Sequence, residues 1–85
     1  MQITVRYFAS IRETLGMAAE QVQTTQTTVA GLRSELIARG GDYAEALALQ
    51  RPMRVALDQV MCADESAAAL HEGAEVAFFP PVTGG

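Results

Sequence analysis

A two-layer α+β roll, with one mixed sheet and one main helix packed across it, is the fold class the sequence predicts. Strand-like alternation appears at both ends of the chain, an amphipathic helical stretch lies between them, and a hairpin pattern follows that helix. Residues 1–79 are expected to form a single globular domain, and residues 80–85 an extended, flexible C-terminal tail.

From Ile3 to Phe8 the apolar residues Ile3, Val5 and Tyr7 alternate with Thr4 and Arg6. Branched and aromatic side chains in that rhythm suit a half-buried strand. Ile11 and Leu15 stand four apart before Gly16, which predicts one or two helical turns and a bend. A second strand is expected at Glu20 to Thr24, where Val22 alone is strongly apolar. Thr27 or Thr28 can accept the free amide hydrogens of a helix start, and Val29, Leu32, Leu36 and Ile37 then fall on one face. Gly40 and Gly41 end that helix. Gly31 inside it costs about 1 kcal/mol relative to alanine, so a close approach to the sheet is expected there. Asp42 to Gln50 reads as a short helix before Pro52.

Arg54–Leu57 and Gln59–Met61 read as two short strands folded about Asp58, whose side chain suits a turn. Ser66 to Leu70 resembles a helical turn, Glu72-Gly73 a bend, and Glu75 to Phe79 a last strand with Val76 and Phe78 pointing one way. There is no internal repeat, linker or low-complexity stretch.

At 85 residues the chain is one domain. A chain this short buries only about 60 to 65% of its unfolded surface, which leaves room for a modest core and none for an enclosed active site. No run approaches the ~18 apolar residues needed to span a bilayer, and MQITVRYF lacks the basic start and apolar stretch of a signal peptide. The expected location is the cytoplasm. Ten acidic against six basic residues give a formal charge of -4, so nucleic acid and anionic membrane are poor partners and a basic protein surface a good one. All six basic residues are arginine. Without lysine there is no Schiff-base chemistry, no phosphate-cradling lysine and no internal ε-amine on which conjugated copies could grow.

The terminal run Pro80-Pro81-Val82-Thr83-Gly84-Gly85 carries the chemistry. Neither proline can donate a ladder hydrogen bond, so the strand ends there and the backbone leaves extended. At ~3.3 Å per residue the tail reaches roughly 20 Å, enough to enter another protein's cleft. Gly84 and Gly85 lack Cβ atoms and can thread a narrow channel. A carboxylate is a poor acyl donor, so chemistry at Gly85 requires activation, for example as a mixed anhydride with AMP; sulfur in place of AMP gives a thiocarboxylate.

Other candidates have plainer explanations. Cys62 is alone, so it forms no intrachain disulfide and reads as a small hydrophobe, although sulfur chemistry invites a persulfide role. His71 has no Ser, Cys or Asp at interpretable spacing and reads as solvated, as do Asp64-Glu65 and Arg12-Glu13. For Phe8 and Phe79 the pattern leaves core and surface equally open, whereas Phe78 is the core residue of its pair.

The run EVAFFPPVTGG resembles, nearly letter for letter, the end of the molybdopterin synthase small subunits, the MoaD family. RYFASIRETLG is similar to that family's opening strand and Arg-Glu turn, and TVAGLRSEL to its helix start; Asp58-Gln59 stands where the family leads one to expect Asn-Gln. The resemblance implies a β-grasp, ubiquitin-like fold and a subunit without an internal active site. It implies that a MoeB-like activating enzyme, using ATP and Mg, adenylates Gly85, and that a donor such as a cysteine desulfurase or rhodanese supplies sulfur. Phe8, Phe79, Pro80, Pro81, Val82 and Thr83 would meet the large synthase subunit in a heterotetramer. The carried sulfur would then convert cyclic pyranopterin monophosphate into the molybdopterin dithiolene, with acid-base residues on the large subunit. The chain itself would bind no cofactor or metal. The alternatives are a sulfur carrier of the thiamin or cysteine branch and a ubiquitin-like modifier of target lysines.

Overall fold

Ile3, Val5 and Tyr7 point from one face of β1 (Gln2–Tyr7) into the interior, and Gln2, Thr4 and Arg6 point from the other. This alternation places β1 inside a five-stranded sheet seen in the computed structural model, which describes residues 1–81. The other strands are β2 (Ala19–Gln23), β3 (Arg54–Leu57), β4 (Val60–Met61) and β5 (Glu75–Phe79), and the helices are α1 (Ala9–Leu15), α2 (Val29–Ile37) and α3 (Gly41–Ala46). The spatial order is β2-β1-β5-β3-β4. β1 and β5 run parallel, and every other pairing is antiparallel. The first and last strands therefore lie side by side, with their C-terminal ends at the same edge of the domain.

All three helices contribute to the core, which joins Ile3, Val5, Tyr7, Val22, Val55, Val76 and Phe78 of the sheet to Ile11, Val29, Leu32, Leu36 and Ala46. Thr28 caps α2: its Oγ1 accepts from the Gly31 amide at 3.1 Å, as the Thr-Val start requires. The roll is thus the one expected, with α2 the longest of its helices. No helix among the described residues is long and apolar enough to cross a membrane.

Four local expectations change. A Cβ on Gly31 would come within 2.5 Å of the Gln26 side chain, so the close neighbour is the loop before α2 and not the sheet. The helix expected to Gln50 stops at Ala46 because Leu47 leaves helical geometry (φ -107°, ψ 9°) and a turn follows in which the Arg51 amide donates to Ala48 O; Arg33 Nε donates to Leu47 O at 2.9 Å and Nη2 to Ala48 O at 2.8 Å. The region 66–70 is not a helical turn. A turn at 65–67, with the Asp64 carboxylate accepting from the Ser66 amide and hydroxyl, gives way to an extended stretch in which Ala69 bridges to Thr28. Glu65 is not simply solvated: it accepts from Nη1 of Arg33, which is only 4% exposed, at 2.9 Å.

The hairpin turns at Asp58 and Gln59, both in the left-handed region with φ of 50° and 69°. Two such residues in succession give the turn whose twist matches that of the flanking strands. Asp58 also straps the turn to β5. Its Oδ1 accepts from the Glu75 amide at 2.9 Å, and its Oδ2 lies 2.6 Å from His71 Nε2.

Candidate functional site

The parallel pairing of β1 and β5 brings Tyr7 opposite Phe78, and their rings stack 6.3 Å apart inside the core. One residue further along each strand, the side chains of Phe8 and Phe79 emerge together. Their rings meet edge to face at 6.0 Å and 89°. Phe8 is 42% exposed and Phe79 half-buried, whereas Phe78 is fully buried. Both open choices therefore resolve toward the surface patch, and Phe78 is the core residue of its pair.

Backbone geometry holds the pair in place. The Phe8 amide donates to Phe78 O at 3.1 Å, and Phe8 O in turn accepts from the amides of Ile11 and Arg12. Ala9 enters the left-handed region with φ 51°, letting the chain turn from strand to helix within one residue. That conformation costs a non-glycine residue about 1 to 2 kcal/mol. An open apolar depression of about 390 Å³, lined by Phe8, Ala9, Phe79 and Pro80, lies at this corner. The tail leaves from here, since Pro80 and Pro81 follow β5 directly and carry no regular structure. Val82, Thr83, Gly84 and Gly85, the remainder of the expected site and tail, lie outside the described residues.

A polar hub lies behind the corner. The hydroxyls of Tyr7 and Tyr43 each donate to Glu20 Oε2 at 2.7 Å, and Arg39 Nη1 donates to Oε1 at 3.2 Å. The Arg39 guanidinium also sits 4.9 Å from the centre of the Tyr43 ring. Burial pushes the Glu20 carboxyl up, but the hydrogen bonds from Tyr43, Tyr7 and Arg39 outweigh it and hold the group below the usual range. Burial first, then the bond to Glu20, pushes the Tyr7 phenol far above its ordinary value. The hub ties β1, β2, α3 and the end of α2 together at the root of the aromatic pair; it holds no free nucleophile.

The remaining titratable groups follow the same logic. Burial, then the charge of Glu65, raises the Cys62 thiol, which therefore stays protonated at neutral pH, the wrong direction for a sulfur nucleophile. His71 does have an acidic neighbour, brought from thirteen residues away by the hairpin. Hydrogen bonding to Asp58, then to the Glu72 carbonyl, raises its pKa, while the Glu75 amide and His71 lower that of Asp58. Among the described residues no group of three metal-ligating side chains comes together.

Sequence reasoning missed the open face of the sheet. By register Arg6, Ala77, Ala56 and Met61 form a row across it, and Phe79 stands opposite Arg54. Only part of this was legible: alternation about Val55 puts Arg54 and Ala56 on the face away from the core, while their cross-strand neighbours follow from register alone.

A sheet gripping a helix, with its last strand beside its first and the chain departing past an exposed aromatic pair, defines a ubiquitin-like β-grasp protein. Residues 5–85 match the ThiS family, and the chain belongs to it. The chain is 39% identical over 83 residues to the molybdopterin synthase sulfur carrier subunit of Haemophilus influenzae, covering 98% of this chain and 99% of that one. Among solved structures, it is similar to SAMP1 from Haloferax volcanii, with a TM-score of 0.75, 23% identity and full coverage of both chains. A complex of subunits 1 and 2 of molybdopterin-converting factor from Helicobacter pylori matches with a TM-score of 0.70, 22% identity and full coverage of both chains. At those identities the two structures speak for the fold.

Proposed function

We propose that the chain is the sulfur-carrier small subunit of a molybdopterin synthase and works through Gly85. An activating enzyme, using ATP and Mg, joins the Gly85 carboxylate to AMP and releases pyrophosphate. The outer sulfur of a persulfide on a desulfurase- or rhodanese-type donor then displaces AMP to form an acyl disulfide, and a thiol reductant cleaves that S–S bond, taking up the donor's sulfur in a new disulfide and leaving the thiocarboxylate on Gly85. The tail enters the large subunit, whose acid-base residues direct that sulfur onto cyclic pyranopterin monophosphate. Each carrier returns to the carboxylate once its sulfur is spent, so two carrier molecules in turn complete a dithiolene.

What supports this function most is the 39% identity, over 98% of the chain, to a protein named as such a carrier. The corner geometry agrees with it: Phe8 and Phe79 are presented outward beside Pro80, where a partner can cover them while the tail runs on. A modifier of target lysines has only the fold likeness to SAMP1 in its favour.

Reconstitution with a large subunit and an activating enzyme tests the function directly. The full chain is expected to support sulfuration of the pterin precursor, and removal of Gly85 to abolish it; undiminished sulfuration without Gly85 would contradict the mechanism.

A further inference from the structure

On the open face of the sheet the small residues Ala77 and Ala56, 8% and 7% exposed, lie in register with the longer side chains of Arg6 and Met61, and Phe79 lies opposite Arg54. The two guanidinium groups on this face are not equivalent. Arg6 Nε donates to Glu75 Oε2 at 2.9 Å and is neutralised within the chain. Arg54 is exposed and, among the described residues, has no ion-pair partner.

Arg54 stands directly across the antiparallel ladder from Phe79. Opposed side chains in such a pair have Cβ atoms about 4.5 to 5.5 Å apart, so a protein that covers the Phe79 ring and extends over β3 also strips water from Arg54. A guanidinium desolvated without a counter-charge opposes binding, whereas one met by a carboxylate forms two parallel charge-assisted hydrogen bonds. A polyanion is a poor source of that counter-charge, because the chain carries a formal charge of -4.

We propose that Arg54 is a specificity-determining residue of the docking face: the protein that covers Phe79 places a carboxylate against Arg54, and a partner lacking one is refused. The proposal rests on the function above, which makes that partner the large subunit. It adds to the aromatic anchors a charged reader whose requirement can be tested separately.

The test is calorimetric binding of the full chain to the large subunit at low and high salt, for wild type and the variants Arg54→Ala, Arg54→Lys, Arg54→Glu and Arg51→Glu. Arg51 is also exposed and controls for net charge. Arg54→Ala is expected to weaken binding about 30-fold or more, the scale for truncating one member of a desolvated charge pair. Arg54→Glu should weaken it further, Arg54→Lys should recover only part because an ammonium lacks the planar fork, and Arg51→Glu should stay within about threefold of wild type, as rim charges do. Thermal midpoints should hardly change, since Arg54 makes no ion pair within the described chain. Binding by Arg54→Glu equal to wild type would overturn the role of Arg54 and leave the proposed function standing. Failure of the wild-type chain to bind would overturn both.

Discussion

Phe78 and Phe79 are neighbours in the chain with opposite duties, and truncating each separates folding from docking. Phe78 is 0% exposed and stacked on Tyr7. Its replacement by alanine leaves a cavity between sheet and helices and is expected to cost about 3 to 5 kcal/mol. A domain of 85 residues has only about 4 to 13 kcal/mol of stability in total, so Phe78→Ala should lose from about a quarter to all of it. Phe79 is half-buried, and its main intramolecular contact is the edge-to-face pairing with Phe8. Such a pairing is worth about 0.5 to 1.5 kcal/mol, so Phe79→Ala should remain folded, with a total loss of about 1 to 2 kcal/mol. Its effect should appear in binding: an aromatic anchor at the centre of an interface contributes about 2 kcal/mol or more, roughly a 30-fold rise in Kd for the large subunit. Urea unfolding followed by circular dichroism gives the first quantity and calorimetric titration the second. Equal destabilisation by the two variants would refute the division of labour, as would a Phe79→Ala protein that binds like wild type.

Arg33→Met keeps the buried stem but leaves Leu47 O without its donor, frees Glu65 and leaves Ala48 O with only the Arg51 amide. One buried carbonyl and two half-exposed acceptors together predict a loss of about 2 to 4 kcal/mol, and a loss below about 1 kcal/mol in urea titration would show that water replaces the guanidinium freely. The His71–Asp58 pair makes stability pH-dependent in a defined sense. Because the folded His71 pKa is raised above its ordinary 6.5, its contribution is complete below the unfolded value and fades as pH rises through the folded one; the Asp58 contribution is present above its ordinary 3.8 and fades as pH falls through its lowered value. Nuclear magnetic resonance titration should find His71 above 6.5 in the wild type and lower in Asp58→Asn, and an unshifted wild-type His71 would contradict the pairing.

Features set by near neighbours in sequence were the legible ones. The alternation of Ile3, Val5 and Tyr7, the Thr28 cap, the Gly16 stop and the Glu75–Phe79 strand each depend on a few adjacent residues, and each stands where expected. Features that depend on register were not legible. Asp58 meets His71, Arg33 meets Glu65 and Glu20 collects Tyr7, Tyr43 and Arg39 only because strand order and loop paths bring them together. Arg33 illustrates the difficulty: an arginine on a helix reads as solvated, and nothing local shows that two carbonyls at the end of α3 need its donors. At the candidate site, the strand-end pattern left Phe8 and Phe79 equally open between core and surface, and their outward meeting requires the parallel pairing of the first and last strands. Met61 and Arg54 escaped notice because their common face appears only once β3, β4 and β5 are in register.

The central claim, that Gly85 carries sulfur as a thiocarboxylate, is tested most directly by intact-mass spectrometry after incubation with ATP, Mg, the activating enzyme and a sulfur source. A gain of ~16 Da, sulfur replacing one carboxylate oxygen, localised to Gly85 by fragmentation, is the predicted result. An unchanged mass, in a mixture that modifies a known carrier under the same conditions, would contradict it.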